Sequence, residues 1–148
     1  MTMTERTVWA SLIVFPLVGL VYLTVILTQA ADRPVEEIGW VTPMLWSWGS
    51  LIAFIILGTI ASAIATAVRA EVAGEKAEFE EGDVRDREIE RIGNARAYTM
   101  ASVGGLAATI LLMVDVDRFW VANTLFLTGL AAGIIAAGSR AYAYRTGL

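Results

Sequence analysis

No charged side chain occurs between Val8 and Ala31, a run of 24 residues. At about 1.5 Å per residue, a helix of that length crosses the roughly 30 Å hydrocarbon core of a bilayer. Water is absent there, so only a helix or a closed barrel satisfies its own backbone groups. Three further apolar stretches follow, over 43–70, 97–114 and 119–139, and the first of these meets a charge only at Arg69. A cleaved signal peptide would have an apolar core of about 7 to 15 residues behind a basic flank. The first run is longer and only Arg6 precedes it, so it reads as a span. Pro16 lies inside it and predicts a kink, tolerated where neighbours satisfy the freed carbonyl.

Between the second and third runs lies segment 69–96, which holds nine of the fifteen acidic residues and six of the eleven basic ones. The rest of the chain reads as membrane, with a hydrophobic content of 57%, above that of ordinary soluble domains. One domain is therefore expected over 1–148: an all-α, integral membrane four-helix bundle with a charged helical hairpin between helices 2 and 3.

Tryptophan concentrates at the headgroup level, so Trp40, Trp46 and Trp48, three within nine residues, mark a membrane surface. Phe119 and Trp120 fall on the same side of a four-span chain, and Trp9, Tyr98, Tyr142 and Tyr144 on the other. Lys and Arg distribute nine against two: Arg6, six in segment 69–96, Arg140 and Arg145 on one side, Arg33 and Arg118 on the other. The positive-inside rule makes the first side cytoplasmic. The expectation is a multi-pass protein of the cell membrane with both termini and the charged hairpin in the cytoplasm.

Lipid gives apolar helices little reason to associate, so close backbone approach through small residues is a main source of packing energy. Gly58, Ser62, Thr66 and Ala70 fall four apart on the second helix. The third repeats the device at Ala97, Ala101, Gly105 and Thr109, and the fourth at Gly129, Gly133, Ala137 and Ala141. Gly58, Ser62, Ala101, Gly105, Gly129 and Gly133 are the expected packing positions, within one chain or between copies.

The chain has no His and no Cys, which removes imidazole bases, zinc and haem ligation through these residues, thiol nucleophiles and disulfides. No cofactor is expected. Segment 69–96 interleaves both signs and nets negative, so it is not a nucleic-acid patch. No Asp, Glu, Lys, Arg or His lies within the apolar runs from Val8 to Ala31, Pro43 to Val68, Ala97 to Val114 or Phe119 to Ser139, where coupled transport needs such a group. Their polar side chains include Thr24, Gln29, Ser50, Thr59, Ser62, Thr66, Asn123 and Thr128, and such hydroxyls are expected to bond back to their own helices. No nucleophile is paired with a base, so no catalysis is expected.

In the charged segment, Asp83 suits an N-cap for a helix running from Val84 into the third span, with Asp86 at the capping-box position. Residues 70–81 are expected to extend the second helix. Arg85 with Glu88 and Glu88 with Arg91 lie at helical spacing, each pair contributing some tenths of a kcal/mol. Ile89 and Ile92 give this polar helix one apolar edge. The run Asp83, Val84, Arg85, Asp86, Arg87, Glu88, Ile89 resembles a D-E-R-D-x-x-I-like motif of small, uncharacterised prokaryotic membrane proteins. Asp83, Arg85, Asp86 and Ile89 match it; Val84 stands where the pattern has an acid. The resemblance implies a four-span topology and no chemistry.

Three readings of the segment follow: a solvated hairpin that orients the protein, a docking surface built on Asp83, Arg85, Asp86, Ile89 and Ile92, or a divalent-cation site from Glu78, Glu80, Glu81 and Asp83. The chain as a whole reads as a small structural, regulatory or interaction component. It self-associates in the bilayer or docks a cytoplasmic or membrane partner through 69–96. The alternative is a transporter or channel subunit with a pathway between copies.

Overall fold

The computed structural model describes residues 3–74 and 84–147. Among them every regular element is helical, with four long helices: α1 (Met3–Asp32), α2 (Val41–Ala73), α3 (Val84–Met113) and α4 (Arg118–Thr146). Each is long and apolar enough to cross a membrane. They overrun the apolar stretches at their ends because nothing in the flanking residues stops a helix before its cap. At Ala73 the stop is Gly74, whose left-handed φ of 69° lets its N–H reach the carbonyls of Ala70 and Glu71. The second helix therefore ends at Ala73, and the rest of the extension expected toward Glu81 lies outside the described residues. The N-cap expected of Asp83 and the acidic set Glu78, Glu80, Glu81 and Asp83 lie outside the described residues.

Helix α3 starts at Val84 and runs without a break into its apolar half. A short turn joins it to α4. Asp115 takes a positive φ of 56°, which a short polar residue tolerates, and Asp117 caps α4 by accepting a 2.7 Å hydrogen bond from the Phe119 N–H. So short a turn makes α3 and α4 antiparallel neighbours, and they share the most extensive interface. Helix α1 packs on α4, and α2 packs chiefly on α1.

The glycines at these interfaces are only partly those the stripes single out. Gly133 sits against the Phe15 ring, where a Cβ would come within 2.7 Å. Gly104, not Gly105, is the close-approach position between α3 and α4, since a Cβ there would collide with Thr128. Gly19 meets Leu130 and Gly93 lies under the Arg140 side chain. Around Gly58, Gly105 and Gly129 there is open space, and Ala101 is exposed. A four-residue stripe shows that a close approach is available, but packing selects the face, and on α3 that face is one residue away.

Most intrahelical hydroxyls follow the expected pattern. Thr24, Ser50, Thr59, Ser62, Thr66 and Thr128 each donate to a carbonyl of their own helix. Gln29 does this and more: its Nε2 donates to the Val25 carbonyl at 3.4 Å, and its Oε1 accepts from the Gly39 N–H at 2.9 Å and so ties the α1–α2 connection to α1.

Packing is tightest at the end holding the α1–α2 connection and the α3–α4 turn. Tyr22, Ile26, Ile38, Phe119 and Phe126 form a buried cluster flanked by Trp40 and Met44. Within it the Tyr22 hydroxyl donates to Asn123 Oδ1 at 2.7 Å, and Asn123 Nδ2 donates to the Phe119 carbonyl at 2.8 Å. Asn123 is therefore buried and bonded inside the chain. The Tyr22 and Phe126 rings lie 4.5 Å apart, and Trp48 of α2 reaches Phe126 at 6.2 Å. Toward the other end α2 separates from this framework, and none of its most apolar stretch is buried.

Candidate functional site

The helix ends on the side of both chain termini surround a cavity of about 570 Å³, and all four helices line it. Its character changes along the helix axes. The inner part is apolar, with Phe15 of α1 and Gly133, Ala136 and Ala137 of α4. The mouth is polar and carries charges of both signs, with Asp86 and Glu90 from α3 and Arg140 and Tyr144 from α4. Thr59 and Ser62 of α2 contribute hydroxyls that already donate to their own helix.

Asp86 is the residue on which this arrangement turns. It is 8% exposed, and its Oδ1 accepts a 2.6 Å hydrogen bond from the Tyr144 hydroxyl. A carboxylate so deeply placed needs such a donor, because leaving water uncompensated is costly. Ile89 is 1% exposed, and with Gly93 it continues the Asp86 face toward α4 at helical spacing. The apolar edge of the charged helix is thus turned inward. Of the residues proposed for docking, Asp86 and Ile89 are buried within the chain, Arg85 is exposed, Ile92 is half-buried and Asp83 lies outside the described residues. Glu88 and Arg91 make their expected pair at 3.9 Å on the exposed face.

Arg140 lies one turn before Tyr144 on α4. Its stem crosses Gly93, its Nη2 donates to Asn94 Oδ1, and its Nε is buried without a hydrogen-bond partner among the described residues. Arg96, one further rung along, donates to Ser139 Oγ at 3.1 Å. Helices α3 and α4 are therefore joined by three polar rungs in succession: Asp86 with Tyr144, Asn94 with Arg140, and Arg96 with Ser139. Beside them the Arg145 guanidinium lies 5.2 Å from the Trp9 ring centroid, which ties α4 to α1.

Arg140 and Tyr144 enter the sequence reading only as an orienting charge and a belt aromatic. Asp86 enters it as a cap and docking residue. What places them together is the spacing Asp86, Ile89, Gly93, which puts the acid on the same face as the buried isoleucine. Among the described residues no group of three acidic side chains is arranged to hold a metal ion. No family model, curated protein or solved structure matches the chain.

Proposed function

We propose that this chain is an integral membrane four-helix bundle, with both termini and segment 69–96 in the cytoplasm, that works as a small structural, regulatory or interaction component by associating with a second copy. The observation that carries the proposal is α2. No residue of its most apolar stretch is fully buried among the described residues, and Gly58 in the middle of it faces open space. Small residues on an uncovered helix permit the close backbone contact by which helices associate in lipid. Gly105 and Gly129 offer the same opening on α3 and α4. The nine-to-two distribution of Lys and Arg supports the orientation.

Native mass spectrometry of the full chain from nanodiscs tests association. A defined oligomer that Gly58→Leu converts to monomer supports the proposal, and a wild-type monomer across the loading range contradicts it. The four-helix cavity favours a second reading, a transporter or channel subunit, although the Tyr22, Phe119 and Phe126 cluster fills the opposite end. Substrate-dependent flux in proteoliposomes would favour that reading.

A further inference from the structure

The polar mouth of the cavity orders its charges along the helix axes. Arg140 follows Arg118 by 22 residues on α4, a rise of about 33 Å, which places it at the edge of a hydrocarbon core that begins near Arg118. Tyr144 lies about one turn farther from the bilayer centre, and its hydroxyl reaches out to Asp86. On α3, Asn94 accepts from Arg140, and Glu90 and Asp86 lie one and two turns beyond it in that same outward direction. From the bilayer centre outward the sequence is thus an apolar pocket at Phe15 and Gly133, then a guanidinium, then two carboxylates.

A phospholipid with an amine headgroup presents the same order in complementary form: acyl chain, phosphate, and, two carbons farther out, a primary ammonium. We infer that this cavity is a binding site for a zwitterionic aminophospholipid, with the phosphate at Arg140 and the ammonium at Asp86 and Glu90. The chain enters on the side where α2 stands away from α3, since the two share no extensive interface. Charge complementarity selects this occupant over its relatives. An anionic phospholipid leaves Asp86 and Glu90 without a cation, and a choline headgroup has no N–H to donate to them. The inference rests on the membrane reading above and not on self-association.

The test uses the full chain in detergent, first shown to be membrane-integrated by its resistance to alkaline extraction. Loss on extraction would overturn the membrane reading and this inference with it. Phosphatidylethanolamine, phosphatidylcholine and phosphatidylglycerol of one acyl composition are then offered in equal amounts, and retained lipid is counted by native mass spectrometry. The expected result is about a tenfold preference for phosphatidylethanolamine, the size of one charged hydrogen bond. Glu90→Gln, at an exposed position, and Asp86→Asn, which keeps an acceptor for Tyr144, each bring the preference toward unity with the fold intact by circular dichroism. Arg140→Gln lowers retention of all three lipids. Free glycerophosphoethanolamine separates headgroup from lipid: failure to displace bound lipid at millimolar concentration agrees with a site that needs the acyl chain, and full displacement assigns it to a soluble phosphoamine instead. Equal retention of the three lipids by the wild-type chain, or an unchanged preference in both carboxylate variants, overturns the inference.

Discussion

The Tyr144 hydroxyl and the Asp86 carboxylate, 58 residues apart in the chain, meet at 2.6 Å across the α3–α4 interface. This contact brings the start of the charged helix inward and makes a residue that reads as a surface cap part of a buried polar rung. Tyr144→Phe removes the donor and leaves a carboxylate with 8% exposure short of one partner. The expected loss is about 1–3 kcal/mol of stability, measurable by thermal or denaturant unfolding in detergent. Asp86→Asn, which still accepts from Tyr144, should lose clearly less than Asp86→Ala.

Two adjacent glycines on α3 should behave differently. A side chain at Gly104 collides with Thr128, whereas one at Gly105 enters open space. Gly104→Val is expected to cost about 1–3 kcal/mol through overpacking of the α3–α4 interface. Gly105→Val should stay within about 0.5 kcal/mol in the monomer apart from its helix propensity. Unfolding of the two variants side by side checks this, and equal losses would contradict the register of α3 on α4.

At the opposite end, Tyr22→Phe removes the hydroxyl that bonds Asn123. Hydrogen bonds between helices in a bilayer average about 0.6 kcal/mol and reach about 1.7, so a loss in that range is expected. Asn123→Leu should cost more, because it removes the acceptor, crowds the Phe119 and Phe126 cluster, and takes the side-chain donor from the Phe119 carbonyl.

Much of this architecture is legible in the sequence because long charge-free runs admit few backbone arrangements. Charge-free runs with Trp40 and Trp48 at their edges leave no option but long helices, and the four helices appear with ends shifted by a few residues. The short turn at Asp115 and Asp117 likewise makes α3 and α4 neighbours. Which face of each helix turns inward is harder to read. In a helix that is apolar on every side, periodicity does not separate Gly104 from Gly105. Asp86 illustrates the same limit from the polar side. Its capping position and its charged neighbours suggest exposure, and only its spacing to Ile89 and Gly93 marks the buried face. Arg140 and Tyr144 carry no local signal at all, since their significance arises from a rung with residues about fifty positions earlier.

As proposed above, the chain crosses a bilayer four times with both termini and the cavity mouth on the cytoplasmic side. The absence of native cysteine makes it directly testable by single-cysteine labelling. Asp115→Cys in the α3–α4 turn and Thr146→Cys at the end of α4 are both exposed, and each is treated in intact cells with a membrane-impermeant maleimide. Asp115→Cys is expected to react at once and Thr146→Cys only after permeabilisation. Labelling of both from outside, or of Thr146→Cys alone, would contradict it.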